Sequence, residues 1–404
     1  MKKLEKSVPV IRFKGFSEAW EQRELGELGE VTTGKAFSST SFDNQGEYLV
    51  ITNKNISDSS RSQNIITNRI NISDDEIIQR YRLDGENILV TMDGVNLGKT
   101  AMYSNANALL AQRVGRIKSN QLEFIYQITS SNTFLRTMQT LSVGNAIKHI
   151  SLKQISEYSS LGPKDIIERK KIGSFFKKLD NTIALHQRKL DALKLMKKGF
   201  LQQMFPKRGE NIPKIRLDDF DDIWEQRILG EFLKESKIKG SNGSLAKKLT
   251  VKLWRKGVVP KEEIYTGSSA TQYYIRKTGQ FIYGKLDFLN QAFGIIPLEL
   301  DGYESTLDSP AFDIEESINE TFLLEYVSLV RFYKYQGNIA NGSRRAKRIH
   351  TDTFFEMPIP LPNSNEQQKI GTFSQQIDDL IALQQNKLEK ISSLKRFYLK
   401  NMFI

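Results

Sequence analysis

Residues 168–205 read ERKKIGSFFKKLDNTIALHQRKLDALKLMKKGFLQQMF, and residues 366–403 read EQQKIGTFSQQIDDLIALQQNKLEKISSLKRFYLKNMF. Aligned at a constant shift of 198, the two stretches agree at 16 of 38 positions, which marks an internal duplication. Alternating steps of four and three from Ile172 place Ile172, Phe176, Leu179, Ile183, His186, Leu190, Leu193, Lys197, Phe200 and Met204 on one seam, eight of the ten apolar. The second copy gives Ile370, Ser374, Ile377, Ile381, Gln384, Leu388, Ile391, Lys395, Tyr398 and Met402, seven of ten apolar. That spacing predicts two long helices, and a heptad seam of this length requires a partner helix. The simplest partner for each is the other copy. At about 1.5 Å per residue, some 40 residues make rods of roughly 60 Å. Both starts resemble a capping box, Asp165 with Glu168 and Ser364 with Gln367, while Pro206 and Gly209 end the first rod.

A second duplicated block lies upstream of each rod. Residues 9–27 match residues 213–231 at 11 of 19 positions, among them Trp20-Glu21-Gln22-Arg23 against Trp224-Glu225-Gln226-Arg227. The chain therefore reads as head 1–27, variable region 28–163, rod 164–206, head 207–231, variable region 232–362 and rod 363–404. Trp20 and Trp224 are expected to be buried anchors. In the first variable region the runs 48–52 and 87–91 predict strands, and 122–138 has helical spacing. The second repeats this order loosely, with strand-type runs at 280–283 and 292–298 and a helix expected over 321–335. The order is shared and the letters are not, as expected if the frames position and the inserts discriminate.

With 404 residues the chain exceeds one ordinary core. A net charge of +12 and a pI near 9.4 point to a polyanionic partner. No apolar run reaches the ~18 residues that span a membrane, and Met1-Lys2-Lys3-Leu4-Glu5-Lys6 leads into no signal core, so a cytoplasmic location is expected. Cysteine is absent, which excludes disulfides and thiolate metal sites. His149, His186 and His350 stand at no ligand-pair spacing and argue against a zinc centre.

Gly94-Val95-Asn96-Leu97-Gly98-Lys99-Thr100 suggests a phosphate loop but has three residues between its glycines where the Walker pattern needs four. No helix is expected after it, so a turn between strands is the better reading. Glu168-Arg169-Lys170 resembles the end of a nuclease centre, yet its copy Glu366-Gln367-Gln368 lacks the lysine. Helix-start acids favoured by the macrodipole account for both glutamates. The chain carries no dinucleotide fingerprint, Asp/Asn-Pro-Pro-aromatic methylation motif or Ser-His-Asp arrangement, and no enzyme is read from it.

The residues suited to nucleic acid are basic or amide-bearing. Arg344, Arg345, Lys347 and Arg348 cluster ahead of the second rod, where the first half offers Lys148 and His149. They are candidates for phosphate anchoring, with one arginine suited to a guanine edge. In the first variable region the candidates are Lys35, Asn53, Lys54, Asn55, Arg61, Asn96, Lys99 and Arg113. In the second they are Lys252, Arg255, Lys256, Gln272, Tyr273 and Lys285. Taken singly, each such residue is more often ordinary surface than a base reader.

This arrangement resembles the specificity subunit of type I restriction-modification enzymes over nearly the whole chain. The resemblance rests on the doubled heads, on Asp84-Gly85-Glu86-Asn87-Ile88-Leu89-Val90-Thr91 leading to Gly94 and Gly98-Lys99, on Pro358-Ile359-Pro360-Leu361-Pro362 before the second rod, and on the doubled rods. The first half departs in having only Leu161-Gly162-Pro163 before its rod, and Glu86 stands where aspartate is commoner. The resemblance implies an α+β fold: two target recognition domains of mixed strands and helices, separated by two rods packed as an antiparallel coiled coil with a pseudo-twofold. It implies that each domain reads half of a split DNA site and that the rods set the gap. Two methyltransferase subunits and two restriction subunits would be partners, and S-adenosylmethionine, ATP and magnesium would belong to them. Two other classes stand beside this reading: a single-chain DNA methyltransferase or endonuclease with diverged motifs, and a stand-alone bipartite DNA-binding regulator. The seam breaks at His186 and at its counterpart Gln384, which are expected to meet near the pseudo-twofold and fix register.

Overall fold

The computed structural model describes residues 8–56, 67–144, 148–217, 220–262, 268–338 and 348–404. The chain divides into two units, residues 1–186 with 387–404 and residues 187–386.

In the first unit the chain runs β1 (Glu21–Glu24), α1 (Leu25–Leu28), β2 (Glu30–Thr33), β3 (Tyr48–Ile51), β4 (Arg69–Ile70), α2 (Asp75–Tyr81), β5 (Arg82–Thr91), β6 (Thr100–Leu110), β7 (Val114–Lys118), α3 (Leu122–Thr129), α4 (Asn132–Leu141), α5 (Leu152–Ser156) and β8 (Ser159–Gly162). A sheet of order β2-β7-β5-β6-β3-β4 is antiparallel except where β3 pairs with β6. Its residues Ile88, Val90 and Ile117 pack on Phe124, Ile125, Ile128, Phe134 and Met138 of α3 and α4. The apolar spacing over 122–138 carries across a break, because Ser130 ends one helix and Ser131 caps the next by accepting from Phe134 N. Gly94 (φ +71) and Gly98 (φ +81) turn the chain from β5 to β6 with no helix following, so the segment is a hairpin turn and not a phosphate loop.

The second unit runs β9 (Glu225–Ile228), β10 (Leu233–Ser236), β11 (Lys239–Asn242), β12 (Leu249–Val251), β13 (Val258–Pro260), β14 (Gln272–Ile275), β15 (Phe281–Tyr283), β16 (Phe293–Ile295), β17 (Glu304–Ser305), β18 (Ala311–Ile314), α6 (Glu320–Val327), α7 (Val330–Gly337), α8 (Thr351–Phe355) and β19 (Pro358–Leu361). One of its sheets has the order β10-β18-β15-β16, strand for strand the path of β2-β7-β5-β6. The helix expected over 321–335 is again two helices, interrupted at Ser328 and Leu329. The two variable regions thus share a path without sharing letters.

The rods are helices of equal length, Ile166–Met204 and Ser364–Met402. No seam position is exposed: Ile172, Phe176, Leu190, Ile370, Ser374 and Ile377 are buried and the central ones half-buried. Each unit holds one antiparallel end of the pair. In the first, Asp180 pairs with Lys395 (2.5 Å) and Phe175 meets Tyr398 edge-on. In the second, Lys197 pairs with Asp378 (2.6 Å) and Phe200 meets Phe373 edge-on, the same contacts displaced by one repeat. His186 belongs to the first unit and Gln384 to the second, so their expected meeting concerns the junction of the two.

The heads explain the duplicated acids. Glu168, 1% exposed, receives Arg12 at 2.7 and 2.8 Å; Glu366, equally buried, receives Arg216 at 2.8 and 2.5 Å and Trp224 Nε1 at 3.0 Å. Both glutamates lie in the first turn of their rods, where the macrodipole favours an acid, and each is in addition the partner of a half-buried guanidinium group. Asp165 Oδ1 accepts from Ile167 N, and Asn363, not Ser364, caps the second rod through Glu366 N. Arg169 likewise serves structure, donating to Pro163 O and Gln121. Trp20 and Trp224 are buried, each edge-on to a phenylalanine at a rod end, Phe403 and Phe205.

Candidate nucleic-acid interface

In the first unit the ends of five segments converge at one edge of the six-stranded sheet. Ala111 N donates to Ile51 O, Gln112 N to Lys35 O, Met92 N to Arg113 O, and Ile150 N to Met92 O. These bonds bring Lys35, Asn53, Asn96 and Arg113 together, although they lie on loops up to about 80 residues apart in sequence. His149 bridges to Asp93, which sets Lys148 beside the same edge. Asp93 is the centre of the group. Its carboxylate, 7% exposed, accepts from Arg113 Nη1 at 2.8 Å and from Asn53 Nδ2, while Asn96 Nδ2 donates to Asn53 O at 3.4 Å. Arg113 holds a left-handed backbone (φ +67) and leaves 59% of its side chain exposed.

Other first-unit candidates are placed differently. Asn55 is turned inward, its Oδ1 accepting from Thr52 N, Thr52 Oγ1 and Thr67 Oγ1, so it shapes the turn over Asn53–Asn55. Lys54 is exposed beside it and Lys99 half-buried at the end of the β5–β6 turn. Arg61 lies outside the described residues, as do Arg344, Arg345 and Lys347.

In the second unit the candidates fall in three places. Lys252 and Lys256 are exposed on the β12–β13 hairpin, whose tip also exposes Trp254. Arg255 on that hairpin turns inward to Glu325, at 2.5 and 2.9 Å, which makes it an internal clamp. Gln272 donates to Gly240 O and to Tyr273 O, and Tyr273 carries the Lys248 ammonium over its ring. Lys285 and Arg348 share a site: Ile349 N donates to Lys285 O, and Arg348 pairs with Asp308 at 3.3 Å. Burial pushes the Lys285 ammonium below the usual lysine range, against the pull of Glu235 and Asp308. Along the shared strand path, the Ile349–Lys285 bond stands where the Ile150–Met92 bond stands in the first unit. The same edge of each recognition sheet therefore carries basic groups.

Sequence reasoning missed Asp93 and Glu325. An acid inside the apolar run Phe322-Leu323-Leu324-Glu325-Tyr326-Val327 is a readable sign of a buried cation partner. Asp93 carried no such sign. Among the described residues no group of three or more His, Asp or Glu side chains is placed to hold a metal ion, and no helix is long and apolar enough to cross a membrane.

Two separate blocks, residues 17–195 and 222–393, match the model of the type I restriction modification DNA specificity domain. The chain belongs to that family, whose members are the non-catalytic DNA-recognition subunits of type I systems. It is 24% identical over 404 aligned residues to the type I restriction enzyme MjaVIII specificity subunit of Methanocaldococcus jannaschii, covering 94% of this chain and 91% of that one. Its fold is similar to that of the type I restriction-modification S subunit from M. genitalium (TM-score 0.65, 12% identity, 98% of this chain and 99% of that one). A chain from work on complex assembly and conformational transition of the type I R-M system aligns at TM-score 0.50 and 14% identity, over 95% of this chain and 97% of that one.

Proposed function

We propose that each recognition domain reads one half of a split DNA target, through the basic sheet edge around Arg113 in the first domain and around Lys285 and Arg348 in the second. The observation that carries this reading is the doubled recognition domain, each copy preceded by a head that the same Arg–Glu pair clasps to a rod end. With both halves on one scaffold, the second contact becomes intramolecular, and affinity rises when the half-site spacing fits. His186 and Gln384 at the rod centres serve register in this reading.

The chain acts with methyltransferase and restriction subunits, and we assign two copies of each. Support comes from apolar side chains that the rods leave uncovered in repeat-related pairs: Leu185 with Leu383, and Met196 with Leu394. Within each helix these lie eleven residues apart, about three turns, on one stripe. Offering the same apolar stripe twice suits two copies of one partner. S-adenosylmethionine, ATP and magnesium then bind those partners, and this chain supplies the address.

Mapping methylated bases in cells with and without this chain tests the reading. The expected result is a motif of two short halves at a fixed gap, present only with the chain. Methylation or cleavage of DNA by the purified chain alone would favour a diverged single-chain enzyme, and tight two-part binding with no methyltransferase partner would favour a regulator.

A further inference from the structure

The group around Asp93 goes one step beyond DNA binding, because its hydrogen bonds dictate what it offers outward. An ionised carboxylate only accepts, so the Asn53 amide must turn its NH2 to Asp93, which fixes Oδ1 as the free face. The Arg113 side chain gives Nη1 to the same carboxylate and makes no other hydrogen bond among the described residues, and with 59% of it exposed its remaining N–H donors face out. The carboxylate also neutralises the guanidinium. A neutralised arginine is a poor anchor for phosphate, whose grip rests on net charge, but a good reader of base edges, where donor geometry decides. The left-handed backbone at Arg113 is unfavourable for a residue with a side chain and persists only where neighbours hold it; here Met92 N bonds to Arg113 O.

We propose that Asp93 is a positioning residue for base reading by the first recognition domain, aiming Arg113 at a guanine and presenting Asn53 as an acceptor to a neighbouring base. Guanine is the base whose major-groove edge offers two acceptors to an arginine fork. The Asn53 acceptor selects adenine or cytosine, which display an amino group in that groove, over guanine and thymine. This rests on the two-domain reading above.

The test uses the chain assembled with its methyltransferase partners, selecting from duplexes randomised in both half-sites. Arg113→Ala and Arg113→Lys are each expected to cut discrimination at one guanine position of one half-site by roughly 5- to 150-fold, since lysine lacks the fork. Asp93→Asn is expected to relax that position and let the adjacent one accept guanine or thymine, because the Asn53 amide is then free to flip. The half-site read by the second domain stays as it was in all three variants and reports an intact assembly. Equal loss for all four bases, the mark of a phosphate contact, overturns the proposal, as does an unchanged motif. A wild-type assembly that selects no two-part motif overturns the underlying reading and the proposal with it.

Discussion

Glu325 shows how much one buried side chain can carry. It is 1% exposed and takes Arg255 from a hairpin, Lys197 from the first rod (2.9 Å) and Ser374 from the second (2.6 Å). Burial alone would raise its carboxyl, but Arg255, Lys197 and Ser374 overcome burial and hold it near 2. Its repeat counterpart Gln127 is also buried, with neither amide atom hydrogen-bonded among the described residues, and carries no titratable group, so the pH-dependent term belongs to the second unit. A depressed carboxylate stabilises fully above the ordinary range near 4.5 and loses that contribution as pH falls through about 2. The contribution is roughly 3 kcal/mol. Glu325→Gln is expected to destabilise the second unit by about 3–5 kcal/mol at pH 7, because it takes the carboxylate from the Arg255 guanidinium and leaves Lys197 with Asp378 alone. Urea unfolding at pH 7 and at pH 3 checks this: the gap to wild type narrows in acid, whereas a pH-independent gap contradicts the assignment.

At the scale of elements, the rods were the most legible part of the chain. A period of 3.5 sustained over ten seam positions and repeated 198 residues later leaves few alternatives. The breaks inside 122–138 and 321–335 were hidden, because apolar spacing continues through Ser130-Ser131 and Ser328-Leu329 while only the backbone changes direction. The Asp93 group was hidden for another reason: residues 53, 93 and 113 meet only once strands from three parts of the domain are paired. Arg255 read as a surface candidate since nothing local reveals that its hairpin folds back on α6. If the rods set the gap, length should translate into spacing. Adding one heptad at equivalent places in both rods lengthens the pair by about 10 Å, or roughly 3 base pairs of B-DNA. Selection from a duplex library should return both half-sequences unchanged with the gap widened by that amount; an unchanged gap in a folded protein would refute the ruler. A heptad added to the first rod alone should shift the spacing or abolish binding, because it leaves one end of the pair out of register.

For the molecule as a whole, the repeat is closed in a way that chain order conceals. The first head is fastened to the end of the second rod by Ile11 N to Asn401 O (2.9 Å), and the second head to the end of the first rod by Ile215 N to Gln203 O (3.0 Å). These are one contact in two copies, but only the second is bridged by chain, through residues 204–214. Joining Ile404 directly to Met1 would place residues 402–404 and 1–10 between Asn401 and Ile11, thirteen residues where the natural bridge uses eleven. The join therefore needs no added linker. New termini fit between Gly209 and Glu210, both exposed on the loop beyond the first rod. Opening there leaves the Arg216–Glu366 pair and the Phe205–Trp224 contact intact. Such a permutant should fold, keep its melting temperature within several degrees of the parent and select the same two half-sites at the same gap. Calorimetry and duplex selection on the permutant check both. A folded permutant with an altered gap would mean that the spacing depends on tension in the natural 204–214 bridge and not on the rods alone. Failure to fold, with a matching chain cut at the same place but not joined also failing, would locate the fault in the opening and leave the closed repeat standing.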